Sequence, residues 1–118
     1  MKRILWVSKH NPLVTQVAWL NQKFGQVEIS QYSKPFDTAE QISRMFLDGG
    51  YDELVLVAPL SVFAKLIDLK IKPLWAEMAE VSPDLAEVAI PRKNGTMNYY
   101  KFETFKRVKA IILEYEDL

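Results

Sequence analysis

At 118 residues the chain has the length of one ordinary domain, and its fifteen basic residues balance fifteen acidic ones, so no net field draws it toward nucleic acid or anionic lipid. Hydrophobic residues make up 49% and charged residues 25%, close to the globular average, which excludes a disordered or fibrous chain. There is no cysteine, which excludes disulfides, thiolate metal sites and a cysteine nucleophile and fits a reducing compartment.

The opening Met1–Val7 carries only a short apolar stretch before Ser8, Lys9 and His10, and no small-residue cleavage site follows. No run approaches the ~20 apolar residues of a membrane span. A cytoplasmic, non-membrane protein is the expectation. Ile4 to Val7 reads as a strand buried on both faces, closed by the polar loop Ser8-Lys9-His10-Asn11. Asn11-Pro12 predicts a helix start with Asn11 as cap, and Leu13, Val17, Leu20 and Phe24 form its apolar stripe up to Gly25. Val27 and Ile29 alternate with Glu28 and Ser30, a second strand near an edge.

Asp37-Thr38-Ala39-Glu40 has capping-box spacing with Asp37 in the capping place. The helix it opens carries Ala39, Ile42, Met45 and Phe46 on one face and stops at Gly49-Gly50. Leu54 to Ala58 is a third strand, followed by Pro59-Leu60-Ser61, where Ser61 is placed to cap a short helix with Val62, Phe63, Leu66 and Ile67 inward. Ile71 to Met78, with Pro73 near its start, predicts a fourth strand. Further on, Asn94-Gly95 marks a tight turn between extended segments. Tyr99 to Tyr115 fits both a strand and a helix, with an antiparallel hairpin favoured over a C-terminal helix.

The expectation is one α/β domain over residues 1–118, Rossmann-like, with a mainly parallel sheet of about four strands and helices on both faces. Residues 1–82 form its β-α-β-α-β-α-β core and residues 83–118 a C-terminal antiparallel hairpin.

Ligands of open α/β sheets bind outside the carboxyl ends of the strands, at the point where the strand order reverses. That rule selects Ser8–Asn11, Pro59–Ser61 and the end of the fourth strand, including Glu77 and Glu80. His10 is the only histidine and the first candidate for acid–base work, and Lys9 can carry a phosphate charge. Ser8, Asn11, Thr15, Gln16, Pro59, Leu60, Ser61 and Glu77 are the ligand-binding candidates around them. Lys9 and His10 read equally well as solvated loop residues, and Ser61 as a cap alone. Glu77 and Glu80 fit an exposed strand end, or could pair with Lys9, hold a ribose hydroxyl or serve as a base. No metal-ligand spacing, glycine-rich dinucleotide turn, P-loop or nucleophile elbow is present, and no cofactor is expected.

Between Arg92 and Lys109, Lys93, Lys101, Lys106 and Arg107 are interleaved with Tyr99, Tyr100, Phe102 and Phe105. Such a row can stack and neutralise single-stranded nucleic acid. It also fits a strand with a buried aromatic face and a solvated basic one, or a dimer contact.

Leu5-Trp6-Val7-Ser8-Lys9-His10-Asn11-Pro12 with Gln16 and Leu20, then Tyr51 to Leu60, resembles an uncharacterised family of small Rossmann-like proteins from prokaryotes, phages and mobile elements. Ile71-Lys72-Pro73-Leu74 and the Phe102–Phe105 segment extend the likeness, which implies no particular activity. More distantly, the order of elements is similar to small CRISPR-associated proteins that bind cyclic oligoadenylates, including ring nucleases. That resemblance implies a homodimer holding its ligand across a two-fold axis, with Ser8, Lys9, His10 and Ser61 around the phosphates. The functional expectation is a small nucleotide-type ligand, with cyclic oligonucleotide binding or cleavage as its sharpest form; in cleavage His10 would move protons and Lys9 stabilise charge. The alternative is a non-enzymatic interaction protein that holds nucleic acid or a protein partner through the basic aromatic segment.

Overall fold

The computed structural model describes residues 1–112, 114 and 116–118. Its elements are β1 (Lys2–Val7), α1 (Val14–Phe24), β2 (Val27–Tyr32), α2 (Ala39–Asp48), β3 (Glu53–Leu56), α3 (Leu60–Asp68), β4 (Leu74–Glu80), a 3-10 turn (Pro83–Leu85), β5 (Val88–Pro91) and β6 (Met97–Arg107). All the strands join one sheet in the order β2-β1-β3-β4-β6-β5. β1, β2, β3 and β4 run parallel, and β6 returns antiparallel to both β4 and β5. The sheet therefore has six strands rather than about four, because both strands of the antiparallel terminal hairpin are members of it.

β1 alternates between two cores. Leu5 and Val7 face α2 and α3, packing with Ile42, Leu54, Leu56, Phe63 and Leu66. Ile4 and Trp6 face α1, packing with Leu20, Val55, Leu74 and Phe105. A strand covered on both sides must be apolar throughout, which explains the unbroken Ile4–Val7 run.

The helix caps differ from expectation. α1 begins after Leu13, not at Asn11, and Gln16 Oε1 accepts from the Leu13 N–H at 2.8 Å. Its inward residues are Gln16 and Leu20, with Trp19 and Phe24 partly covered, so the buried stripe is rotated from the predicted one. Thr38 caps α2, accepting from the Gln41 N–H at 3.2 Å, while the Gln41 side chain returns to the Asp37 N–H at 3.0 Å. The expected box is thus displaced by one residue, since the Thr38 hydroxyl competes for the cap position. Pro59 holds the cap position of α3, and Ser61 lies exposed inside the first turn. β4 starts at Leu74, past the Pro73 that has no N–H to give, and not at Ile71.

In β6 the expected alternation of Tyr100, Phe102 and Thr104 breaks. Met78 pairs with Phe102 but Glu77 with Thr104, so Glu103 is an extra residue in a bulge. Phe102 and Phe105 consequently face α1 together, their centroids 4.9 Å apart. Trp6 and Trp19 meet Phe105 edge-on at 6.1 and 5.3 Å. At the opposite end of the sheet, Arg107 grips the mostly buried Glu53 carboxylate with two bonds of 2.9 and 3.0 Å and donates to the Lys72 carbonyl. After β6 the described chain is irregular through Ile112, with Val108 and Ile111 against the α2–α3 core. The C-terminal helix alternative does not form there; Leu113 and Tyr115 lie outside the described residues.

α2 and α3 end in the same reverse-turn motif. Tyr51 N–H donates to Phe46 O and Gly50 N–H to Leu47 O, with Gly50 at φ +66°. After α3, Ile71 N–H donates to Leu66 O and Lys70 N–H to Ile67 O, but here the left-handed position is Lys70 at φ +68°. A Cβ in that region is strained. Lys70→Gly should raise the unfolding free energy by about 0.5–1 kcal/mol, read as a higher urea midpoint at unchanged slope. A lower midpoint would refute the assignment.

Candidate functional site

Trp6 pairs with Val55 between β1 and β3, and Val55 with Leu74 between β3 and β4. β3 stops at Leu56 while β4 continues to Glu80, so the wall of β4, β6 and β5 stands above the rim where β1 and β3 end. From that rim β1 leads to α1 on one face and β3 to α3 on the other, so the chain order reverses between them. Two clefts open there.

The first, about 350 Å³, is lined by Ser8, Lys9 and His10 from the β1–α1 loop, Tyr32–Phe36 after β2, and Val57–Pro59 after β3. Lys9 and Lys34 give it positive charge. The second, about 310 Å³, lies on the α1 side. Trp6 and Val55 form its buried floor, Leu13 and Gln16 its helix side, and Trp75, Ala76, Met78, Val88 and Ile90 its wall. Ser8, His10, Val57 and Ala58 line both clefts and form the ridge between them. Among the described residues no carboxylate lines either cleft.

The ridge is held by its own backbone. The Trp6 indole N–H donates to His10 O at 3.0 Å, and Gln31 Nε2 donates to Ser8 O and His10 O at 3.1 and 3.3 Å. Ser8 Oγ accepts from the His10 N–H at 3.1 Å. Ser8 N–H reaches Tyr32 O, and Val57 N–H reaches Val7 O at 3.1 Å. These bonds satisfy the Ser8 and His10 carbonyls and leave the Lys9, His10 and Asn11 side chains exposed at the surface.

Of the residues that sequence selects, Ser8, Lys9, His10 and Pro59 meet in the charged cleft, and Ser8, His10, Asn11 and Gln16 in the apolar one. Thr15 lies just outside, donating its hydroxyl to Glu87. Glu87 also accepts from the Phe102 N–H at 2.6 Å, so it fastens the β5–β6 hairpin to α1. Leu60 and Ser61 are exposed on the first turn of α3 and line neither cleft. Glu77 is paired with Lys106 and Glu80 with Arg92 at 3.8 Å, which takes both away from Lys9. Lys34, Trp75, Val88 and Ile90 are among the lining residues that sequence reasoning missed, whereas Met78 lies in the strand-four end that it selected. The signal for Lys34 was its place after β2 at the same rim; the others reach the site only through strand pairing.

The basic aromatic row is largely committed elsewhere. Phe105 is buried, Tyr99, Tyr100 and Phe102 are half-buried, and Arg92, Lys106 and Arg107 each sit in an ion pair. Among the described residues no cluster of three or more His, Asp or Glu could hold a metal ion, and no helix is long and apolar enough to cross a membrane.

Compared with known proteins, the chain matches no protein-family model, no curated protein and no solved structure. The chemistry of the rim therefore rests on its own side chains.

Trp6→Phe keeps an aromatic ring in the core but removes the donor to His10 O. It should cost about 1 kcal/mol of stability and speed amide exchange in residues 8–11 several-fold relative to α2. Exchange that stays equally slow would mean the indole bond does not hold the ridge.

Proposed function

We propose that this protein binds a small nucleotide-type ligand across the ridge, with its phosphate in the charged cleft and its base in the apolar one. The observation that carries this reading is the contact of two clefts, one edged by two lysines and the other by none, along Ser8, His10, Val57 and Ala58. A nucleotide has the same division: an anionic group that needs cations and donors, and a flat ring that gains by leaving water. Lys9 and Lys34 supply the charge, and α3, a nine-residue helix capped by Pro59 at the cleft edge, adds the positive end of its dipole. Trp75, 44% exposed, offers a ring surface at the mouth of the apolar cleft.

The reading stops at binding. In a cleaving version His10 would move protons and Lys9 stabilise charge. Among the described residues, however, the imidazole has no hydrogen-bond partner to hold its tautomer, as an oriented base requires. The Rossmann-like class and the likeness to cyclic oligoadenylate binders make cyclic as well as linear nucleotides the first candidates, and a two-fold pair of chains the natural holder of a cyclic ligand. Capture of nucleic acid through residues 92–109 is less well supported, because Phe102 and Phe105 are turned to the core and half its cations are paired.

The test is thermal unfolding against nucleosides, mononucleotides, dinucleotides and cyclic oligonucleotides. A ligand at a hundred times its Kd adds about 2.7 kcal/mol, roughly 10 °C for a domain of this size. Lys9→Ala with Lys34→Ala should weaken phosphorylated ligands at least tenfold and leave nucleosides unchanged. Flat melting temperatures across the panel would end the proposal.

A further inference from the structure

The apolar cleft contains one polar side chain whose position is fixed from behind. Gln16 is 5% exposed, and its Oε1 accepts from the Leu13 N–H at 2.8 Å. A backbone N–H can only donate, so the amide oxygen must face it and the amide nitrogen must face the cleft. Among the described residues, the partner there is Met78 Sδ at 4.0 Å, a weak acceptor. The amide nitrogen thus turns toward a space walled by Trp6, Val55, Ala76, Met78, Val88 and Ile90, with one of its two N–H groups directed at Met78 Sδ on that wall and the other unmatched among the described residues. Buried donors are nearly always satisfied, so this one asks for an acceptor on whatever fills the cleft.

Resting on the binding reading above, we infer that the base is one carrying a ring carbonyl, a 6-oxopurine or a 4-oxopyrimidine, and that Gln16 selects it. With the phosphate at Lys9 and Lys34 and the sugar across the ridge, the edge of the base farthest from the sugar enters toward α1. On that edge guanine, hypoxanthine and uracil present an oxygen to the Gln16 amide. Adenine and cytosine present an amino group there, which sets donor against donor. The ring nitrogen beside that amino group, adenine N1 or cytosine N3, can accept from Gln16 only if the base shifts from the position an oxo base takes, and a site built to satisfy a polar group disfavours the analogue that fits it less well. Adenylates, linear or cyclic, fall on the disfavoured side.

The experiment is calorimetric titration of the full chain with inosine monophosphate and adenosine monophosphate, which differ at this edge, and with the uridine and cytidine monophosphates as a second pair. The wild-type protein should bind each oxo nucleotide at least ~10-fold tighter than its amino counterpart. Gln16→Glu keeps an oxygen for the Leu13 N–H, so the cap survives, but presents an acceptor to the cleft. Its charge repels every phosphate alike, so the ratio within each pair is the readout, and that ratio should invert. Gln16→Met should bring it close to one and serves as the second variant if Gln16→Glu does not fold. Nucleotides that bind with equal ratios in wild type and variants would overturn this inference and leave the binding site standing. If no nucleotide binds at all, both readings fall together.

Discussion

The functional end of this molecule depends on strands of unequal length. β3 stops at Leu56 because Ala58-Pro59 cannot continue a parallel ladder: proline has no N–H to donate and holds the residue before it extended. β4 meets β3 at a single register pair, Val55 with Leu74, and then continues to Glu80. Had β4 ended level with β3, the rim would be shallow. Because it continues, Trp75, Ala76 and Met78 have no parallel neighbour and become the wall of a cleft.

A strand that outruns its neighbour needs another partner, and β6 supplies it along the whole of β4. The bulge at Glu103 then does what regular alternation cannot. It turns Phe102 and Phe105 to one face, so the wall packs against Trp6 and Trp19 instead of splitting its aromatics between core and solvent. Burying a phenylalanine side chain of this kind is worth roughly 2–3 kcal/mol. The Glu87 bonds to Thr15 and the Phe102 N–H fasten the upper end of the hairpin, and the paired Arg107 and Glu53 fasten the lower end. The aromatic cluster contributes more to holding the hairpin than these polar ties do. The polar ties set position, since a buried ion pair gains little beyond its own desolvation cost.

How far this was legible follows from where each signal resides. β1 and β3 were plain because the part of a strand sandwiched between helices must be apolar, and Ile4–Val7 and Leu54–Leu56 are. The edge position of β2 showed in its alternation. Helix starts were legible to within a residue or two but not their caps, since Asn11, Asp37 and Ser61 are all good capping types and only the turn geometry chooses among them. The rule of strand ends found most of the ridge and one side of the charged cleft, but not Tyr32–Phe36 opposite. It could not find Trp75, Val88 and Ile90, whose place depends on the β4–β6 register and its bulge, which no local pattern encodes. Gln16 was selected for lying near the helix start, yet its importance comes from the Leu13 bond that fixes which way its amide points.

What the ridge adds is preorganisation. Its carbonyls are already bound by Trp6 and Gln31, and the Ser8 hydroxyl holds the His10 amide, so the loop between the clefts need not be ordered when a ligand arrives. Binding a small molecule otherwise costs the ordering of every side chain it touches, about 0.5–1.5 kcal/mol for each flexible one. Here that cost falls mainly on Lys9 and Lys34, which are exposed and free to reach, while the surfaces that would read the base are buried or backbone-fixed. The division suits a site that captures charge with mobile groups and discriminates shape and hydrogen-bonding with rigid ones. On the proposed reading the base is met from α1 and not from the loop: Gln16, held by its own capping bond, is less free to turn toward a different partner than a loop side chain would be.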